Sequence, residues 1–449
     1  MISKQRFLLI AFRKFLTKIN QIGLQATISL IIKKLSPIVE MPPEIVVAES
    51  QPVSIEAIQN NLSDTHQIIL EGLKHRSNSI LLNNRAFNNK SVDIHNLSFT
   101  WLVPFFSKGS GGHKNLFRFV KGLENLGCKC TIYIVKEFEI GLTPEEIKEK
   151  ICDYFENIDA EVKIYKPGAE YEKADVLVCT SWITAYAGLT FDANLKVYFV
   201  QDYEPLFFSA GSYWYLAENT YYFNYYHITL GPWLTHLLRQ KYGVKADYYD
   251  IVVDKDLYIP QTTISNEKIK SICNNKSFKV CFYGRSVTPR RCFELVLMAL
   301  YLFSKKATDI TIIAYGWNEL PPVPFKCYNL GMLTTNELSE LYSLCDVCIA
   351  PSASNLSLVA REVMACGCVL MDLDVENTSY DLLHLENSYL VKQDPQSMCD
   401  GLMHLYNDRN LLSNLKNSSL KYISKLNNWN YQVNSLYSLI KQQLQNNAS

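Results

Sequence analysis

Asp346-Val-Cys-Ile-Ala-Pro-Ser-Ala-Ser-Asn-Leu-Ser-Leu-Val-Ala-Arg-Glu-Val-Met-Ala-Cys-Gly-Cys-Val-Leu-Met-Asp-Leu373 is the stretch on which the fold turns. Two short apolar runs, 346–351 and 369–373, flank a segment of helical spacing, 358–365, so the stretch reads strand, helix, strand. The same alternation extends upstream through a strand at 278–283, a helix near 292–304, a strand at 310–315 and a helix at 336–344. Before it lies a polar stretch, 254–276, and before that a first series of the same kind. That series has strands at 98–104, 130–135, 174–179, 196–200 and 248–253. A helix carries Leu116, Val120 and Leu123 and is closed by Gly127; another is announced by the capping box Thr143-Pro-Glu-Glu146; a third begins at Pro232. Repeated strand–helix units imply parallel sheets covered by helices on both faces, and two series imply two Rossmann-like domains. Ligands of such sheets sit at the carboxyl ends of the strands, which places a ligand in the cleft between the domains.

The length, 449 residues, suits two domains and an extension, and 48% hydrophobic with 20% charged residues is globular composition. Forty-four basic side chains balance forty-four acidic ones, so no global field favours nucleic acid. The balance is local, however: Lys4, Arg6, Arg13, Lys14, Lys18, Lys33 and Lys34 occur in residues 1–39 without one acid. With Phe7, Leu8, Ile10, Phe12, Phe15 and Leu16 they form a mixture suited to lying on an anionic membrane surface. No run is long enough for a signal-peptide core or a membrane span. Thirteen cysteines, an odd number in a large chain, argue for free thiols and a cytoplasmic location, peripheral at the inner face of the membrane. Cys345 and Cys348 are expected to be core cysteines, since positions three apart on a strand face opposite ways. The eight histidines make no metal-ligand spacing, and the aspartate pairs Asp254/Asp256 and Asp372/Asp374 read as linker and strand-end carboxylates, so no metal is expected. The segment 78–89, rich in asparagine, reads as a linker. The aromatic belt 213–226 offers sugar stacking or helix packing.

Three loops could carry chemistry. Gly109-Ser-Gly-Gly-His113 joins a strand to a helix, where bare N–H groups attract phosphate; it lacks the last glycine of the dinucleotide fingerprint, Lys114 standing there. Tyr283-Gly-Arg-Ser-Val-Thr-Pro-Arg-Arg291 puts guanidinium groups at a strand end, where their forked donors suit a pyrophosphate. The run from Pro351 to Glu362 offers Ser354, Asn355 and Ser357 at a helix start and Glu362 one turn inside, placed to accept from ribose hydroxyls.

With Trp101-Leu-Val-Pro104, Tyr198-Phe-Val-Gln-Asp-Tyr-Glu-Pro205 and Leu216-Ala-Glu-Asn-Thr220, these loops resemble, over residues 96–430, the retaining glycosyltransferases of the GT-B fold, family four, and most of all their WsaF-type rhamnosyltransferase branch. The resemblance implies an α/β chain of GT-B architecture, two Rossmann-like domains facing across a cleft, with a helical N-terminal extension. Its divisions are an extension and linker at 1–95, an acceptor-side domain at 96–260, a nucleotide-sugar domain at 276–430 and a C-terminal helix at 431–449. It further implies transfer of a deoxyhexose, L-rhamnose from dTDP-L-rhamnose, to a surface glycan held on a lipid, with retention and no cofactor. Arg285 and Arg290 would clamp the diphosphate, Glu362 the ribose, and Gly111, Gly112, Ser354, Asn355, Ser357 and Leu358 would line the donor. Gln201 and Asp202 would join Arg285 and Arg290 at the reacting centre, with His113, Glu204 and Glu218 on the acceptor side. The broader family has two glutamates separated by seven residues, the first of which falls at Ser354. That departure keeps a non-catalytic glycan-binding protein on a decayed transferase fold as an alternative, beside a nucleotide-sugar epimerase.

Overall fold

The computed structural model describes residues 63–82, 93–94, 96–137 and 141–446, all within one compact unit, Leu62–Ser449. The basic arm 1–39, and with it the expected membrane contact, lies outside the described residues.

Two sheets organise the unit, and every pairing in both is parallel. The first contains β1 (Ser98–Pro104), β2 (Lys129–Val135), β3 (Glu161–Ile164), β4 (Ala174–Cys179), β5 (Ala193–Val200), β6 (Tyr226–Leu230) and β7 (Ala246–Tyr249), in the order β3-β2-β1-β4-β5-β6-β7. The second contains β8 (Phe278–Tyr283), β9 (Ile310–Tyr315), β10 (Tyr328–Asn329), β11 (Val347–Ile349), β12 (Val369–Leu373) and β13 (Tyr389–Val391), in the order β10-β9-β8-β11-β12-β13. The order of travel reverses between β1 and β4 in one sheet and between β8 and β11 in the other. Both switch points open a crevice at the carboxyl ends of the strands, where doubly wound sheets take ligands.

Near-continuous apolar runs follow from burial on both faces. In β8, Phe278, Val280 and Phe282 pack against the helix Phe293–Lys306, while Cys281 turns to the other face with Ile313, Tyr315 and Cys348. Cys345 and Cys348 are fully buried, but not on opposite faces: Cys345 ends the helix Thr335–Leu344 ahead of the strand, and both thiols belong to the core on the Cys281 side.

Several expected boundaries move. The helix Asp64–Leu82 runs into the supposed linker 78–89. The strand expected at 248–253 lies earlier, as β7, because Tyr248 and Tyr249 finish its pairing with β6 and the chain then leaves the sheet. Tyr226 of the aromatic belt opens β6, with Tyr221 and Tyr225 buried beneath, while Tyr213, Tyr215 and Tyr222 are exposed. The C-terminal helix begins at Trp429 and is described to Asn446. It leaves the second sheet and packs on the first. Val433 fills the space over Gly122, where any side chain would collide with it. Gln432 accepts from the Asp250 N–H at 3.0 Å, and the Trp429 ring meets Phe119 edge-on at 5.8 Å. Among the described residues no helix is long and apolar enough to cross a membrane.

Candidate functional site

The arginines come from the turn after β8. Gly284 is bare because a Cβ there would press on Ala314 and Leu320 at 3.3 Å. Arg285 next to it donates through Nε to Thr288 Oγ1 at 3.0 Å and lies 5.0 Å over the Trp317 ring. Arg290 sits in the turn Pro289–Arg291, and its carbonyl accepts from the Ala353 N–H at 2.9 Å, which fixes this turn to the loop after β11. Its guanidinium stacks on Phe207 at 4.3 Å and reaches to 3.4 Å from Asp202 Oδ2, both in the segment that follows β5 of the opposite sheet.

The loop after β11 makes the second crossing. Asn355 Nδ2 donates to the carbonyls of Gln201 and Leu230, at 3.0 and 3.2 Å, at the carboxyl ends of β5 and β6. Its Oδ1 accepts from the Leu356 N–H at 2.9 Å. Ser357 caps the helix Leu358–Ala365 by accepting from the Val359 N–H. Leu358 at the head of that helix faces Gly111 at the head of the helix Gly111–Asn125, where a Cβ on Gly111 would lie 3.4 Å from it. Gly112 faces Gln201 at the same distance, and Gln201 Nε2 donates to the Gly112 carbonyl at 3.0 Å. Two helix N-termini, one from each sheet, therefore converge with their positive dipole ends on one spot.

On these loops and on the neighbouring strand β12, among the described residues, Gln201 Oε1, Arg291 Nη1, Ser352 Oγ, Ser354 Oγ and Asp372 Oδ2 are buried and make no hydrogen bond, and Arg290 Nε makes only its ion pair with Asp202. A folded protein leaves few such groups, because each costs about 1–3 kcal/mol. These loops are therefore the candidate site for a polar ligand. Burial pushes the Asp372 carboxyl up to about 7, although the N–H groups of Leu373 and Ser352 and the nearby Arg291 pull the other way. Asp202 is likewise raised by burial, and Arg290 and Arg291 oppose the rise. Ser354 lies beside Asp202 without completing a hydrogen bond.

Glu362 lies deeper, on a cavity of about 40 Å³ lined by Gly111, Lys114, Asn115, Arg118, Tyr258 and Trp429 among others. Burial raises its carboxyl, while the Tyr258 hydroxyl, Lys114 and Arg118 favour the ionised form. Arg118 is held between Glu156 Oε1 at 3.0 Å and Asp254 Oδ2 at 2.9 Å, stacked on Trp429.

The expected acceptor-side groups are committed elsewhere. His113 is half-buried among Phe106, Phe117 and Phe155. Ser110 Oγ and the Pro104 carbonyl occupy its two nitrogens, and desolvation pushes its ring down to about 4. Glu218 accepts from Lys241 Nζ at 2.6 Å and from the Tyr242 hydroxyl at 2.9 Å. Glu204 accepts from the Trp182 N–H at 2.6 Å, and burial pushes it up to about 8. Glu204 therefore takes up a proton on folding between pH 4.5 and 8, so stability falls as pH rises through that window. Glu204→Gln keeps the acceptor for Trp182 and loses the ionisation. Its Tm measured from pH 5 to pH 9 is expected to decline less than that of the unmodified protein, and an identical decline would remove Glu204 as the cause.

Sequence reasoning overlooked Arg291, Phe207, Tyr258, Lys114 and Arg118. Arg291 stands in the quoted Pro-Arg-Arg turn and could have been included. The others owe their place to packing between the sheets, which no local pattern shows.

Residues 278–403 match the family described as WsaF, C-terminal domain. The chain is 26% identical over 343 residues to the O-antigen biosynthesis protein RfbC of Myxococcus xanthus, a match covering 74% of this chain and 26% of that protein. It thus spans about a quarter of the length of that curated relative. Among solved structures, sucrose-phosphate synthase from Thermosynechococcus elongatus superposes with a TM-score of 0.59 at 14% identity, covering 78% of this chain and 100% of that one. The Anabaena protein HepE, in complex with UDP-glucose, does so with a TM-score of 0.58 at 15% identity and the same coverages. The chain thus has the GT-B fold, and its residues 278–403 are similar to the WsaF C-terminal domain.

Proposed function

We propose that the chain is a glycosyltransferase of polysaccharide biosynthesis that takes a sugar from a nucleoside diphosphate and passes it to a glycan acceptor, the sugar being a deoxyhexose, L-rhamnose from dTDP-L-rhamnose. The observation that carries this reading is the set of buried polar atoms of Gln201, Arg291, Ser352, Ser354 and Asp372 that lack a hydrogen bond, with the Arg290 guanidinium beside them and two helix N-termini converging. Such a constellation suits a dianionic leaving group flanked by hydroxyls. The likeness to HepE, whose structure holds UDP-glucose, and to RfbC supports the substrate class.

In the reaction the bond between the anomeric carbon and the diphosphate oxygen breaks, and negative charge grows on that oxygen. Arg285, Arg290 and the N-terminal amides of the helices at Gly111 and Leu358 stabilise this charge, and do so most in the transition state. Asp202 holds Arg290 in place across the cleft until phosphate oxygens take over its donors. Retention follows if the departing phosphate accepts the acceptor hydroxyl proton on the same face. Glu362 takes the ribose diol. The cavity of about 40 Å³ beside it, lined by Gly111, Lys114 and Tyr258 among others, is where the nucleoside would be held.

The test is incubation with a panel of nucleotide sugars, with and without glycan acceptors, while diphosphate release is measured. Release that needs an acceptor is expected, and it should persist in excess chelator because the arginines supply the positive charge. Consumption of donor without acceptor would point to an epimerase, and no turnover to a glycan-binding protein. Loss in chelator restored by magnesium would return Asp372 and Asp374 to the reaction.

A further inference from the structure

The carboxyl edge of the first sheet holds a second opening, away from the arginines. The helix Asp64–Leu82 lies along this edge, with Gly72 so close to the Tyr186 carbonyl that any side chain there would collide. Its first turns, with the residues that follow β2 and β3, enclose about 590 Å³ lined by Ser63, Asp64, Gln67, Ile68, Lys136, Glu137, Tyr165, Lys166 and Pro167. That volume is in the range of small-ligand sites, roughly 300–1,000 Å³.

The lining is of one chemical kind. Asp64, Gln67 and Glu137 offer planar acceptors, Lys136, Lys166 and Ser63 offer donors, and Ile68, Tyr165 and Pro167 supply an apolar wall. Two ammonium groups and two carboxyl groups share the lining, so the pocket has no charge excess to select an anion. Neither lysine enters an ion pair among the described residues. Tyr165 is 2% exposed and its ring stacks on Tyr171; its hydroxyl completes no hydrogen bond although Thr190 lies beside it. Burial raises the Glu137 carboxyl, against a hydrogen bond from Thr65. Paired donors and acceptors around an apolar wall suit a polyhydroxylated, uncharged ring.

We propose that this pocket binds a sugar unit of the acceptor glycan, distant from the hydroxyl that reacts. The inference rests on the transferase reading above for its partner and on the pocket alone for its chemistry. Position supports it: β3 is four strands from β5 in the sheet order, roughly 19 Å at the spacing of neighbouring strands, and all carboxyl ends share one edge. A glycan whose end lies at Gln201 and Asp202 would reach the pocket a few sugar units back along its chain. The helix Asp64–Leu82 thereby contributes to acceptor choice without touching the reacting atoms.

The experiment is saturation-transfer NMR on the full chain with rhamnose, glucose and mannose disaccharides as probes. It compares the unmodified protein with Lys166→Ala and Ser63→Trp, both at exposed positions. At least one disaccharide should bind the unmodified protein, about tenfold more weakly to Lys166→Ala, the loss of one charged hydrogen bond, and not to Ser63→Trp, which fills the pocket. Nucleoside-diphosphate affinity by calorimetry should be the same in all three. The proposal is overturned by absence of any disaccharide signal, by equal signals in the variants, or by displacement of the sugar by pyrophosphate. Failure of the nucleoside diphosphate to bind the unmodified protein would instead fell the transferase reading and leave the sugar signal to be judged alone.

Discussion

Arg290→Ala is expected to bind nucleoside diphosphate more weakly by about 2–4 kcal/mol, roughly 30-fold to 1,000-fold, and to lose turnover in proportion. Arg285→Ala should lose affinity on the same scale, but the two should differ in stability. Arg285 bonds within its own turn, to Thr288, whereas Arg290 faces the half-buried Asp202, in the loop after β5, at 3.4 Å. Removing Arg290 strands that carboxylate, although the penalty is moderated because 27% of the Arg290 side chain and 16% of the Asp202 side chain remain exposed to solvent. Adding Asp202→Asn to Arg290→Ala should therefore restore Tm without restoring affinity. Calorimetry with the nucleoside diphosphate and thermal melts of all four proteins check both halves. Unchanged affinity in both arginine variants would remove the clamp.

Glu362→Gln is expected to weaken donor binding by about 1.5–3 kcal/mol, the range of a hydrogen bond to a charged group, with the fold intact. The amide oxygen still accepts from Tyr258, while the charge beside Lys114 and Arg118 is gone. Burial already works against that charge, so its loss should cost the folded state little. Titration with the nucleoside diphosphate and a thermal melt separate the possibilities: normal binding with a much earlier melt would make Glu362 a structural residue.

Much of this architecture was legible because parallel strands buried on both faces write themselves as apolar runs. Ser98–Pro104, Ala174–Cys179, Phe278–Tyr283, Ile310–Tyr315 and Val369–Leu373 stand where the runs put them, and Thr143 with Glu146 forms the expected capping box. Gly127 takes the positive φ of 87° that a helix end asks of it. Short edge strands were illegible: β10 has two residues and β3 four, too few for a period to show. In the site, Arg285, Arg290, Ser354 and Asn355 were named from loops at strand ends and Gln201, Asp202 and Leu358 from the family resemblance; all but Arg285, which bonds within its own turn, touch residues across the two sheets or their loops. His113, Glu204 and Glu218 were named from motif position alone. Their partners, Pro104, Trp182 and Lys241, come from the folded chain and could not be inferred from spacing.

The return of the helix Trp429–Asn446 to the first sheet also bears on how the molecule can move. The two sheets are joined by chain twice, once after β7 and once ahead of Trp429. Two bodies tied at two points lose most of their relative freedom and keep rotation about the line through the ties. On the transferase function proposed above, a nucleoside entering by a swing about that line would have to break and re-form the contacts off the axis together, Asn355 on the Gln201 and Leu230 carbonyls and Arg290 on Asp202. Their strength would then act on two rates in opposite senses: a firmer grip would favour the assembled state in which the sugar is transferred and slow the departure of the spent nucleotide.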